Sequence, residues 1–314
     1  MRMRYHPIPV LLTAFMFASA ISATSTTLEA APPTIAQDAK RRVNMAGRQQ
    51  MLLNRMARAA CVAHADIDRA AQLEQSKLAQ FAFDNVVTTL ELGSIEQELL
   101  AEADPEVLKA LRAVSDEWAS FGAVVTDLRA ELAKGPSQGQ GSPGRDLLVR
   151  VLEWSVPFAA ETVTTAILEI ERKYDTSGIL EPGLYSAINV SGRQRALAEK
   201  IGMEICMIGS GLSVAAARLQ LTGTLALFRS SQEQLVHRYK GLKMPPEMTS
   251  ALATLFDGIV GRWTALEPKI ARFTGDATPT SAEVASLVSE LAVVVDLYEK
   301  VVATFEATPD QAAR

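Results

Sequence analysis

From residue 36 onward, apolar side chains recur every three or four positions, broken by short polar or Gly/Pro-rich stretches, the mark of amphipathic helices. The pattern predicts helices near 36–75, 77–96, 105–133 and 146–173, then near 185–219, 222–240, 246–273 and 281–306. Asp104-Pro105-Glu106 and Pro245-Pro246-Glu247 mark helix starts, because proline lacks an N–H that the first turn does not use. Gly135 to Gly144 and the shorter Gly275 to Thr280 separate third from fourth helices. Four helices with short connections imply an up-down-up-down bundle, here written twice.

The repetition is visible in the residues. Val43 to Arg55 (VNMAGRQQMLLNR) matches Ile188 to Lys200 (INVSGRQRALAEK) at an offset of 145. The same offset superposes Cys61 on Cys206, Phe83 on Phe228 and Trp118 on Trp263. Agreement of rare residue types over so long a stretch argues for duplication. Pro105 lies 13 residues before Trp118 and Pro246 lies 17 before Trp263, so the third helix is expected to gain a turn in the second copy.

At 100° per residue the motif helix has three faces. Val190, Leu197, Ile201, Ile205 and Ile208, with Met45, Leu52, Met56, Ala60 and Ala63 in the first copy, form a core stripe. Asn189, Arg193 and Lys200, matched by Asn44, Arg48 and Arg55, read as a solvated basic face. The third stripe carries Gly192, Arg195, Glu199, Gly202 and Cys206, against Gly47, Gln50, Asn54, Ala57 and Cys61. Glycine inside a helix costs about 1 kcal/mol relative to alanine, so close approach of another helix is the expected reason for it. An arginine held in such a contact offers a planar fork to a small planar anion. An Arg195–Glu199 pair one turn apart is the competing use of that charge.

Composition narrows the function. Lys plus Arg number 31 against 36 acids, a net charge of −5, which excludes a broadly basic nucleic-acid surface. Two cysteines and three scattered histidines (His6, His64, His237) give no zinc or haem spacing, and no cofactor is expected. No histidine sits beside a plausible nucleophile, so an enzyme is not expected. Gly209-Ser210-Gly211 reads as small residues within a helix, and both tryptophans read as core anchors.

Residues 1–23 have the form of an export signal: Arg2 and Arg4, an apolar run from Val10 to Ala18, then small residues offering cleavage after Ala20 or Ala23, or retention as an anchor. No later stretch reads as a transmembrane span. The expected location is a bacterial periplasm.

On the pattern Asn-x-(Ala/Ser)-Gly-Arg-Gln-Arg, most specific over 43–58 and 188–203, the chain resembles PilJ-type sensory domains and their relatives, the NarX-like periplasmic domains of nitrate/nitrite sensor kinases. The resemblance covers both copies and implies an all-α chain of two tandem four-helix units, at 36–173 and 185–307. In the nitrate sensors the motif helices of two subunits pair, and one Arg from each holds the anion. Carried over, that Arg falls on Arg195 in the second copy and on Gln50 in the first, with Asn189 and Gly192 matching Asn44 and Gly47, and Arg193 beside them. One copy therefore lacks the cation, and a symmetric two-Arg site cannot form within one chain. The resemblance implies a non-catalytic sensory or ligand-binding protein. Its partners would be a small anion, a membrane sensor kinase or chemoreceptor, and a second copy in a homodimer, with nucleic acid excluded. A structural or interaction protein of the envelope is the alternative. If the two motif helices lie parallel within the chain, Cys61 and Cys206 face each other at equal height, and an exported protein can oxidise them to a disulfide.

Overall fold

A computed structural model describes residues 33–135 and 141–309; the export-signal stretch lies outside them. Among the described residues regular structure is helical: α1 Ile35–His64, α2 Arg69–Leu92, α3 Pro105–Ala133, α4 Pro143–Arg150, α5 Val156–Ser177, α6 Pro182–Gly209, α7 Val214–Arg238, α8 Pro246–Ala271 and α9 Ser281–Glu306. Among the described residues the one strand-like element is an isolated bridge between Ser94 and Leu99. A π turn at Val151–Ser155 links α4 to α5 without leaving helical backbone angles. The N–H of Val156 reaches back to the oxygen of Val151, and the widened turn stands just before Pro157, which has no N–H to donate. The chain thus forms eight helical rods among the described residues.

Local chemistry explains several boundaries. Thr34 with Gln37 and Thr280 with Glu283 form capping boxes on α1 and α9, each satisfying two otherwise orphaned N–H groups. The Asp104 side chain accepts from the N–H groups of Glu106 and Val107 at the start of α3. Two turns were hidden in the sequence. Asp66 and Asp68 take positive φ and end the first helix at His64, not near 75; Gly211 and Ser213 do the same after Gly209. Gly209-Ser210-Gly211 is therefore a helix end, not a helix interior. The third helix of the second copy is not longer, 26 residues against 29: the turn gained before Trp263 is lost after it, where Pro268 and a 3-10 turn at Arg272–Thr274 close α8 early.

The described residues belong to one compact unit. In each copy the first helix packs on the second and the fourth, and the third packs on the fourth. Between copies, α1 lies against α6 along much of its length and also touches α9. Matched aromatic pairs anchor both cores: ring centroids of Phe83 and Trp118 lie 4.0 Å apart, as do those of Phe228 and Trp263. The Trp118 indole N–H donates to Asp84. The residue matched to Asp84 is Arg229, and the Trp263 indole nitrogen is buried without a partner. No helix among the described residues is long and apolar enough to cross a membrane.

Candidate functional site: the paired motif helices

The glycines of the motif set the geometry. A Cβ built on Gly47 lies 3.6 Å from the Cα of Gly192, so α1 and α6 approach at van der Waals distance of their backbones. Fourteen residues further along both helices, Cys61 and Cys206 are joined by a disulfide with Cα atoms 6.2 Å apart. Equal offsets at both points mean that the two helices run parallel and in register, related by a pseudo-two-fold axis along their length. Both helices are consequently buried on most faces. The core stripe of either copy is enclosed, and the small stripe is enclosed against its twin except at Gln50 and Asn54, which are half-buried.

The polar residues between those two points are asymmetric. Arg195 is fully buried. Its Nη1 donates to Glu299 on α9 and its Nη2 donates to Oδ1 of Asn44 on α1, at 2.6 Å; its Nε has no partner. Burial pulls the Arg195 guanidinium below its ordinary pKa, while Glu299 acts to hold its proton. At the matched place Gln50 is half-buried and donates to the Thr164 hydroxyl on α5, at 2.6 Å. The motif asparagines cross between copies: Asn44 donates to Glu306 on α9, and Asn189 donates to Glu171 on α5. Burial raises the carboxyl of Glu306 above its usual range.

The competing use of Arg195, a pair with Glu199, does not form. Glu199 is buried in the α1–α6 contact and takes Arg55 and Arg58 from the other copy, whose Nε atoms donate to its two oxygens at 2.7 and 2.6 Å. Burial alone would raise its carboxyl; the guanidiniums of Arg58 and Arg55 outweigh that and hold it below its usual range. Arg58 reaches Glu199 only because Gly202 leaves room, since a Cβ there would lie 2.8 Å from the Arg58 Cδ. Gln72 and Gln75 on α2 accept the remaining Arg58 nitrogens. The basic face read as solvated is therefore split. Arg48 and Arg193 are exposed, whereas Arg55, Asn44 and Asn189 are spent on contacts between copies.

The structure thus gathers Arg195, Asn44, Gly47 and Gly192 into one place with Glu299 and Glu306, and sets Gln50 and Asn189 in the mirrored place with Thr164 and Glu171. Glu299 and Glu306 went unnoticed in the sequence for a definite reason. They lie 135 positions beyond Thr164 and Glu171, because the stretch from Trp263 to Glu299 is ten residues shorter than that from Trp118 to Thr164, and a comparison held at 145 slides past them. Their own signal was two acids seven residues apart on one helix face. Among the described residues no group of three or more His, Cys, Asp or Glu is placed to hold a metal.

Residues 183–289, which run from the start of α6 into α9, match the family model PilJ, described as the type IV pili methyl-accepting chemotaxis transducer N-terminal domain. No curated protein and no solved structure matches the chain. The match covers the second motif helix, including Asn189, Gly192 and Arg195, and about a third of the sequence. The described residues are thus essentially all helical, and a stretch within the second half of the chain matches a PilJ-type sensor domain.

Proposed function

We propose that this chain is a non-catalytic sensory module of the cell envelope, exported through its N-terminal signal and working with a membrane-bound sensor kinase or chemoreceptor. Its two copies, over 36–173 and 185–307, act as the two halves of a receptor within one polypeptide. The observation that supports this most directly is the parallel, in-register pairing of the two motif helices across Gly47 and Gly192. That pairing buries the Arg195 guanidinium and encloses the face through which a second copy would otherwise dock. Arg195 is the ligand-facing group in this reading, and Glu299 stands as a tethered anion in the place an external one would take. A small planar anion binds when Glu299 swings away or is neutralised.

The test is a thermal-shift and calorimetric titration with nitrate and nitrite of the native chain, Glu299→Gln and the double variant Glu299→Gln/Arg195→Gln. The expected result is little response from the native chain and a Tm rise of about 2–4 °C for Glu299→Gln. The double variant should lose that rise. Silence from all three chains overturns the anion reading.

A second reading, a structural or interaction protein of the envelope, draws support from one observation: Arg195 and Glu199 already have protein partners in the paired helices. In that case the stripe serves only to pack α1 on α6.

A further inference from the structure

The aromatic anchor of the second copy stands beside an open groove. Between the later turns of α7 and α8 lies a cavity of about 430 Å3 whose apolar lining is Val236, Val260 and the ring of Trp263. Val260 is 40% exposed there. One end carries an ion pair that spans the groove. Arg229 on α7 donates from Nε to an oxygen of Glu267 on α8 at 2.9 Å, and its Nη2 donates to the same oxygen. The Arg229 Nη1 and the second Glu267 oxygen make no hydrogen bond among the described residues, so each holds an open position. Glu233, Lys240 and the His237 imidazole also line the groove, which balances two acids against two bases.

The first copy has nothing equivalent. Asp84 and Gly122 stand at the places matched to Arg229 and Glu267. The groove there is lined by Asp84 and Asp127, with no basic side chain among the described residues. Asp84 already takes the Trp118 indole N–H, and the Gln80 amide donates to the main-chain oxygen of Gly122 at 3.2 Å, tying α2 to α3. Arginine in place of aspartate and glutamate in place of glycine thus set both charges at the end of the second groove alone.

We propose that the groove between α7 and α8 binds a free α-amino acid with an apolar side chain, such as leucine. Its carboxylate accepts from the Arg229 Nη1, its ammonium donates to the second oxygen of Glu267, and its side chain covers Val236, Val260 and the Trp263 ring. Charge and wall chemistry narrow the choice. A ligand with one charge is attracted by one member of the pair and repelled by the other. A zwitterion whose charges sit on adjacent carbons meets both at once, and adds no net charge to a lining that is already balanced. An inorganic ion would leave the apolar lining in water. The site shares no residue with the Arg195 cluster and goes beyond the function proposed above. The two are linked through α6, since Gln194, next to Arg195, donates to the main-chain oxygen of Phe228, next to Arg229, at 2.9 Å.

Ligand-detected NMR titration of the full chain with leucine, isocaproate (the carboxylate alone) and isoamylamine (the ammonium alone) tests the proposal. Partly exposed ion pairs and a small apolar contact give weak binding, so leucine is expected at a Kd of about 1 mM and either analogue about tenfold weaker. Arg229→Gln and Glu267→Gln should each weaken leucine about tenfold. Arg229→Gln should not weaken isoamylamine, and Glu267→Gln should not weaken isocaproate, a crossed pattern that general loss of structure cannot produce. Val260→Trp, which fills the groove at an exposed position, should abolish binding of all three. Arg195→Gln should leave leucine binding intact. The proposal is overturned if no binding appears up to about 10 mM leucine, if either analogue binds as well as leucine, or if leucine is unaffected by both Arg229→Gln and Glu267→Gln. Loss of leucine binding in Arg195→Gln, with both groove variants still binding, would place the ligand at the paired helices and overturn it equally.

Discussion

Gly47 and Gly192 face each other across α1 and α6 at backbone contact distance, 3.6 Å from a Cβ on one to the Cα of the other, and that spacing is ordinary contact, not a clash. Two kinds of glycine in the motif are thereby separated. Gly47→Ala is expected to be neutral or stabilising by up to about 1 kcal/mol, because the added methyl fits and helix propensity improves. Gly47→Leu must push the helices apart and should cost about 1–3 kcal/mol or more. Gly202→Ala, against the Arg58 side chain, should destabilise despite the same gain in propensity. Denaturant titration of the three variants checks the order.

Glu199 neutralises two arginines from the other copy while almost wholly removed from water. Removing one member of a buried charge group leaves its partners unpaired, so Glu199→Ala should cost about 3–5 kcal/mol. Because its folded pKa is held down, the stability it provides is present above the ordinary carboxylate range and fades as pH falls through the folded value. Unfolding free energies of native chain and variant should therefore differ most near neutrality and converge in acid.

Glu204 behaves in the opposite sense. Burial pushes its carboxyl up to about 7, opposed by Lys200 and by the Thr224 hydroxyl that donates to it. Folding favours the protonated form, so the group costs nothing below the unfolded pKa and becomes a burden as pH rises toward 7. Glu204→Gln should stabilise the protein at pH 8 by on the order of 2 kcal/mol and have little effect near pH 4. The matched residue in the first copy is Ala59, which carries no such burden. Equal effects of Glu204→Gln at the two pH values would show that the buried carboxyl is not the source.

The bond between Cys61 and Cys206 closes a loop of 145 residues. Cross-linking positions so distant restricts the unfolded chain, and its removal typically costs about 2–4 kcal/mol. Melting with and without reductant, compared with the Cys61→Ala/Cys206→Ala variant, should show one lowered Tm shared by the reduced chain and the variant. A variant as stable as the oxidised chain would contradict this.

Much of this arrangement is legible in the residues. Helix periodicity and proline placement mark the rods, and the repeated glycines and cysteines mark which edges meet. What is not legible follows from how signals fail. Asp66 and Asp68 adopt left-handed backbone with no glycine in the turn, so the first turn of the first copy is silent in sequence; in the second copy Gly211 does mark the turn, but between Gly209 and a following apolar run it reads equally as a small residue of a helix. The partners of Arg195 depend on which helix lies across from it. Its nearest acid one turn away, Glu199, is the natural guess, yet Glu199 faces α1 and meets Arg55 and Arg58 first. Glu299 supplies the counter-charge from a helix about a hundred residues downstream, a contact that only tertiary packing decides.

The crossed hydrogen bonds, Asn44 to Glu306 and Asn189 to Glu171, have a bearing on how such a molecule can be divided. Severed between Ser177 and Pro182, either piece would carry a bare flank bearing glycine, a thiol and an asparagine with no acid to meet. Its best mate would be another piece like itself or its lost sibling. The short tether from Gly178 to Glu181 settles that contest by keeping the sibling always within reach, so the union forms regardless of how dilute the protein is.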